Sequence, residues 1–287
     1  MKAKTFFLFF LITTLNINTL QSQTKSLLAG WDLGLNFGFY LPAGYHAGFY
    51  DGSSTNENKL DFVLGNKYYN DEIRNSLNAS DTFYVTGMPE KMRYTGAFAI
   101  GIYFRRTFDN NFGFAVQFNY SKLKAGDFFQ IEVDPNTILT EPDLRLFPIW
   151  GLEERVNIDL NFSRYFPRTG KTVIPFFEAG INVNSTRVLE NKIEINSKQY
   201  SLVDIYLNGS GYVPGLQQTQ YLVQQGGVGF GINAGGGIKL IFSDLVSIDP
   251  GIELMYQKIN LEGYNQFKLG FMAFVRLSLT GFFVSHE

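Results

Sequence analysis

The sequence predicts an all-β protein, an eight-stranded antiparallel transmembrane β-barrel with long extracellular loops. Three observations predict it. The 287 residues include 29 Phe, 16 Tyr and 29 Gly, but charged residues make up only 17%. The mean hydropathy of −0.05 is far too low for a bundle of membrane helices, whereas a sheet with one apolar face gives such a mixture. Strict period-2 alternation recurs in eight segments, and the connections between them alternate short and long.

The chain opens with a secretory address. Lys2 and Lys4 form a charged start, and Phe6 to Leu15 is an apolar stretch broken only by Thr13 and Thr14. It is too short to span a bilayer, so residues 1–22 read as a signal peptide cleaved after Ser22. Residues 23–287 then form the barrel. Loss of two Lys and no acid takes the net charge from −2 to −4, and no basic stripe marks a nucleic-acid partner. The absence of Cys excludes disulfides, thiolate metal sites and a lipoprotein anchor.

The first strand is Ala29–Leu41, with Trp31, Leu33, Leu35, Phe37 and Phe39 on one face and Asp32, Asn36 and Tyr40 on the other. The second is Thr95–Phe108, with Phe98, Ile100, Ile102 and Phe104 outward. The third starts at Phe112, with Phe114, Val116, Phe118 and Tyr120 outward. The fourth is Glu154–Phe166, with Val156, Ile158, Leu160 and Phe162 outward. The fifth is Thr172–Asn184, with Val173, Phe177, Ile181 and Val183 outward. The sixth is Gly226–Phe242, with Val228, Phe230, Ile232 and Ile238 outward. The seventh is Leu245–Gln257, with Ile248, Ile252, Leu254 and Tyr256 outward. The last is Gln266–Val284, with Phe267, Leu269, Phe271 and Val275 outward. Each is long enough to cross a bilayer as a tilted strand, and an even number leaves both termini on one side. Pro175 and Pro250 fall inside strands, where each removes a ladder hydrogen bond and marks either a bulge or a strand boundary set off by a few residues.

The connections Asp109–Asn111, Pro167–Lys171 and Ser243–Asp244 are short turns. Those at Pro42–Tyr94, Lys122–Glu153 and Ser185–Gln225 are long, and Lys258–Asn265 is a short fourth connection on the same side. Short periplasmic turns opposite long outer loops are the asymmetry of bacterial barrels. Inside the third loop, Ile193–Leu202 reads as a hairpin.

The inward positions carry charge. The acids are Asp32, Asp159, Glu178, Asp249 and Glu253, and the bases are Arg105, Arg155, Lys239, Lys268 and Arg276. Five of each suits an ion-paired network of side chains filling a narrow lumen. Gly227, Gly229, Gly231, Gly235 and Gly237 of the sixth strand face inward and are expected to make room for Tyr40, Tyr103, Tyr165 and Phe274. Arg106 and Arg164 face outward near the periplasmic ends, where they can snorkel.

Other candidates lie in the loops. His46 has Asp51, Ser53 and Ser54 nearby in sequence, a weak echo of a hydrolase triad; the second His, His286, is next to last. Asp51–Asn58 (DGSSTNEN) is rich in oxygen but lacks the spacing and final Glu of an EF-hand, and reads as a polar turn. Asn66 caps a predicted helix with Tyr69, Ile73 and Leu77 on one face, which either packs on the rim or docks a partner. No cofactor, metal or catalytic residue is assigned.

The Gln that follows the signal peptide, the start Trp31-Asp-Leu-Gly-Leu-Asn-Phe-Gly38 and the eight alternating strands resemble the PorT-like outer-membrane β-barrel proteins, over most of the mature chain. The resemblance implies an outer-membrane barrel, and some members of that family serve protein secretion. The expectation is therefore a non-enzymatic barrel in the outer membrane of a Gram-negative bacterium. It would contact membrane lipid, and other envelope proteins through its outer loops, as a structural or accessory subunit for secretion or outer-membrane assembly. A lipid-modifying hydrolase and a small-solute channel are the alternatives.

Overall fold

The computed structural model describes residues 30–135, 143–167, 172–206, 212–217, 219–243 and 245–280. The expected signal peptide 1–22, residues 168–171 of one expected turn, Asp244, the end of the last expected strand (281–284) and His286 lie outside the described residues.

The elements run in order β1 (Gly30–Leu41), a 3-10 helix (Gly44–Tyr50), α1 (Asp61–Leu64), α2 (Lys67–Leu77), β2 (Ala79–Gly87), β3 (Arg93–Tyr94), β4 (Ala97–Thr107), β5 (Phe112–Pro135), β6 (Asp143–Tyr165), β7 (Val173–Ile195), β8 (Lys198–Ser201), β9 (Gly226–Ile241), β10 (Val246–Lys258) and β11 (Phe267–Thr280). Eight of these strands close a ring. β1 pairs with β4, β4 with β5, β5 with β6, β6 with β7, β7 with β9, β9 with β10, β10 with β11 and β11 with β1, all antiparallel. The eight-stranded barrel expected from the alternation is present. Closure pairs the backbone all the way round and leaves the ring without an edge.

The outer surface of the ring is apolar. From Trp31 to Leu41 the outward side chains of β1 are Trp, Leu, Leu, Phe, Phe and Leu. At roughly 3.3 Å per residue and roughly 40° of tilt this belt is about 25 Å tall, the height of a barrel's lipid-facing band. Phe98, 86% exposed on β4, and Val228 and Leu269 on β9 and β11 continue it around the wall. At the turn end, Arg106 lies 5.1 Å from the Trp31 ring. Arg164 lies 4.2 Å from the Phe112 ring and donates to Asn110 O at 2.6 Å. Both basic chains thus lie along aromatic surface at the end of the belt.

The other end of the molecule differs from expectation. β5, β6 and β7 have 24, 23 and 23 residues, so much of the segments expected as loops at 122–153 and 185–225 is strand. β2 adds to β5 and β8 to β7, making a sheet in the order β2-β5-β6-β7-β8 that rises beyond the belt. Polarity inverts along a single strand. Within the belt β5 sends Gln117, Asn119 and Ser121 inward, whereas higher up it buries Leu123, Ala125, Phe129, Ile131 and Val133. Outward, Phe118 and Tyr120 give way to Lys122 and Lys124. The lower barrel is apolar outside and polar inside; in the upper part the inside turns apolar, while the outside mixes Lys122 and Lys124 with exposed Phe128, Leu144 and Leu146.

The first long connection fills this upper sheet. Asn66 Oδ1 accepts the N–H groups of Tyr68 and Tyr69 at 2.9 and 3.3 Å and starts α2, and Asn78 ends it in the left-handed conformation at φ 55°. Ile73 and Leu77 are completely buried and join Phe49, Tyr50, Val63, Phe129, Ile149 and Ile193 in one apolar core, with Tyr69 packed at its edge. These elements form a folded cap on the barrel.

Two further expectations are corrected. Neither Pro175 nor Pro250 causes a bulge: the register runs through Pro175 without a shift, and the ladder between β9 and β10 skips Asp249 and Pro250 but resumes in the same register. Pro175 lies level with the last residue pairs of β6, and its carbonyl still accepts from Phe166 N at 2.9 Å. The register shift between β6 and β7 falls instead at Leu152/Glu153, where Leu152 pairs with Glu190 and Glu153 with Val188, so Leu189 is the extra residue. The glycines of β9 do not make room for the four aromatic groups named above. A Cβ at Gly237 would stand 2.9 Å from the Phe176 ring, one at Gly231 2.6 Å from Gln257, and it is Gly251 of β10 that leaves space for Phe274. The Ile193–Leu202 hairpin is present, and its turn residues Asn196 and Ser197 take φ of 47° and 68°, as a tight primed turn requires.

Gly151 on β6 faces the ring of Tyr50, and a Cβ there would stand 2.0 Å from it. Gly151→Val should therefore unseat the 3-10 helix at a cost of roughly 1–3 kcal/mol to the cap, without touching the lower barrel. Limited proteolysis should then cut faster within 42–94 while the heat-modifiable gel migration of the barrel is kept. An unchanged cleavage rate would refute this account of the junction.

Candidate functional site

The lumen holds ten buried charged side chains among the described residues. Strand alternation places them there, and cross-lumen distances decide their partners. At the turn end, Arg105 of β4 donates from Nε to Asp32 Oδ2 at 2.9 Å and from Nη1 to Asp249 Oδ2 at 3.2 Å. It also bonds the Tyr165 hydroxyl. Lys239 Nζ of β9 donates to the same Asp32 oxygen at 3.1 Å. In the middle, Arg276 of β11 grips Glu178 of β7 with both terminal nitrogens, at 2.9 and 2.5 Å, and its Nε donates to Gln117 Oε1 at 2.9 Å. At the cap end, Arg155 of β6 pairs with Glu153 and donates to the Tyr40 hydroxyl at 2.9 Å. Gln257 donates to that hydroxyl at 2.6 Å.

The pairs Arg105–Asp249, Lys239–Asp32 and Arg276–Glu178 join strands that are not neighbours in the ring. They are struts across the lumen. Each guanidinium is also flanked by rings. Arg105 lies 5.2 Å from Tyr103 and 4.9 Å from Tyr165, and Arg276 lies 4.6 Å from Tyr103 and 4.0 Å from Phe274. Arg155 lies 5.8 Å from both Tyr40 and Tyr94. A planar cation that stacks and bonds in its plane satisfies both directions at once.

The charge balance differs from the expected five of each. Glu153, assigned to a loop by sequence, points into the top of the lumen and is fully buried. It accepts from the hydroxyls of Tyr50 at 2.6 Å and Tyr94 at 3.0 Å, and so ties cap to barrel. Lys268 sits higher, half-buried, with its ammonium 4.4 Å from the Tyr45 ring, and is outside the network. The buried set is therefore six acids, Asp32, Glu153, Asp159, Glu178, Asp249 and Glu253, against Arg105, Arg155, Lys239 and Arg276. Asp159 and Glu253 are held by amides instead. Asn182 and Asn119 donate to Asp159 at 2.6 and 3.4 Å, and Asn233 donates to Glu253 at 2.5 Å. Asn36, Asn119, Asn157 and Asn184 form a belt of amides at this height, and Asn36 donates to Asn119 at 2.6 Å.

In the cap, His46 is buried and its Nε2 stands 3.1 Å from Gln266 O. Asp51 Oδ1 accepts from Ser53 N and Asn56 Nδ2, at 2.8 and 2.7 Å, and Ser53 Oγ lies 3.3 Å from Thr55 Oγ1. These residues build the turn that follows the 3-10 helix, and none of these bonds joins His46 to a serine. The segment Asp51–Asn58 likewise turns its oxygens and amides onto its own backbone, with Asn56 donating to Gly48 O at 2.8 Å. An open cleft of about 420 Å³ lies above, between Thr55–Phe62 and Glu262–Gly263. The face of α2 offered to a partner is occupied by the chain itself, because Ile73 and Leu77 are buried in the cap core and Tyr69 packs at its edge.

Two outcomes follow from this geometry. Arg276→Met should cost about 3–5 kcal/mol, because Glu178 stays buried without its cation, while Arg276→Met with Glu178→Leu should recover most of that loss. Urea unfolding in detergent measures both, and a double variant as unstable as the single one would contradict the pairing. Burial, then the nearby Arg155 cation, push His46 from 6.5 down to about 4, against the pull of Gln266 O; Lys268 adds to the downward push. Between these values the unfolded chain binds the proton and the folded cap does not. The resulting stability is therefore full above pH 6.5 and is lost as pH falls toward 4, by about 3 kcal/mol in all. His46→Phe should flatten cap stability against pH in this window relative to the wild type, measured by proteolysis of the cap.

No family model matches the chain, and no curated protein matches it. Among solved structures the chain is similar to Neisserial surface protein A, at 10% identity and a TM-score of 0.41, covering 88% of this chain and 97% of that one. It is also similar to the outer membrane protein OprG from Pseudomonas aeruginosa, at 8% identity and a TM-score of 0.40, covering 88% and 94%. The E. coli outer membrane protein W is similar at 12% identity and a TM-score of 0.34, covering 88% and 98%.

Proposed function

We propose that this chain is an outer-membrane β-barrel of a Gram-negative bacterium and a non-enzymatic structural or accessory subunit of an envelope complex. A closed barrel with an apolar belt is one of the two architectures that satisfy every backbone group inside a bilayer. Eight strands with short turns at one end and large connections at the other match the bacterial outer-membrane pattern, and the apolar start of the chain supplies a route to export. The observation that carries the subunit reading is the strutted lumen beneath a folded cap. Arg105, Arg155, Lys239 and Arg276 fill the bore, and the cap closes over it with an apolar core of its own. Such a molecule offers a rigid outer platform for other envelope proteins. Secretion or outer-membrane assembly is the setting that the PorT-like resemblance suggests.

Recovery from native envelopes tests this reading. Protein solubilised in mild detergent at its native level and captured by a C-terminal tag should bring a stoichiometric envelope protein with it. Capture of the chain alone under those conditions would overturn the subunit role.

A further inference from the structure

The outer wall over β1, β4, β5 and β6 carries a groove of about 320 Å³ lined by Leu35, Ile100, Ile102, Phe118, Tyr120 and Val156. Register builds it. Leu35 faces Ile102, Ile102 faces Phe118, Ile100 faces Tyr120, and Tyr120 faces Val156. The groove lies within the apolar belt, and on its cap side charged groups follow the apolar ones. The Tyr120 hydroxyl donates to Glu154 Oε1 at 2.9 Å, and Glu154 stands 4.0 Å from Arg187 Nε. Lys122 is the cross-strand partner of Glu154 on β5, and Arg187 its partner on β7. Two residues further up, Lys124 holds its ammonium 5.9 Å from the Trp150 ring. Lys122 and Lys124 are exposed, and among the described residues neither is in an ion pair; the Arg187 side chain is 65% exposed.

Three cations and one carboxylate thus stand above an apolar groove, with Tyr120 level with Val156 at the boundary where amphipathic rings mark the edge of a bilayer, and Trp150 further up the same wall. The occupant must be an amphiphile with an anionic head. The lysines and Arg187 lie on strands two apart, about 10 Å in strand spacing. That separation suits a head with two phosphates on a disaccharide better than a head with one. We propose that this wall binds a phosphorylated outer-leaflet glycolipid of the lipid A type, with one acyl chain in the groove and its phosphates on Lys122, Lys124 and Arg187. The inference rests on the outer-membrane reading above, which places this end of the belt in the outer leaflet.

The test uses the full mature chain in phosphatidylcholine nanodiscs, with bisphosphorylated lipid A, its dephosphorylated form and phosphatidylglycerol as added probes, read by native mass spectrometry. Bisphosphorylated lipid A should bind about tenfold more tightly than either other probe, since each basic group near the surface adds to the attraction. The triple variant Lys122→Gln/Lys124→Gln/Arg187→Gln should lose that preference. Ile100→Trp, which fills the groove and leaves the charges, should weaken lipid A binding as well, and it decides the matter if the triple variant does not fold. Equal binding of lipid A and phosphatidylglycerol, or unchanged binding by the folded variants, would overturn the site. Failure of the wild-type chain to enter the discs as a heat-modifiable barrel would instead refute the outer-membrane reading itself.

Discussion

Four cationic side chains are buried inside a narrow barrel, and most of the interior follows from that constraint. A guanidinium taken out of water costs several kcal/mol unless carboxylates and acceptors surround it. Arg105, Arg155 and Arg276 each meet that demand with a carboxylate and at least one neutral acceptor or aromatic face. Because partners such as Asp249 and Glu178 lie on non-adjacent strands, satisfying the charge also braces the wall. The glycines of β9 and β10 belong to the same arrangement. A side chain at Gly237 or Gly251 would collide with Phe176 or Phe274, which the narrow bore must still hold.

A second consequence appears where the belt ends. Above it the same strands bury their other polarity. β5, β6 and β7 do so without leaving the sheet, and the helices of the first connection supply the missing half of the core. The junction is sealed by Glu153, which takes Arg155 from the lumen and the hydroxyls of Tyr50 and Tyr94 from the cap side. Lumen and cap are therefore one packed column.

The barrel was legible in the sequence because period-2 alternation is strong wherever one face meets hydrocarbon. The outward rows of β1, β4 and β9 could be read residue by residue. The cap was not legible, for a physical reason. Above Tyr120 the apolar phase of β5 moves from the outward to the inward positions, and the extra residue Leu189 shifts the phase of β7 again. A pattern that changes phase looks like a loop. Glu153 hides in that apparent loop. Alternation puts Lys268 in the network because it gives the face of a residue but not its height, and at the top of β11 Lys268 meets Tyr45 rather than a carboxylate. The pairing of Arg276 with Glu178 across the bore depends on closure, which no local pattern encodes. By contrast, the cap of α2 at Asn66 is a local signal and was readable.

The whole interior depends on closure of the bore by side chains. Single-channel recording of the wild-type chain in planar bilayers tests it most directly. A strutted and capped lumen predicts insertion without discrete conductance steps across a wide range of voltage. Stable, ohmic openings from the purified wild-type protein would contradict it.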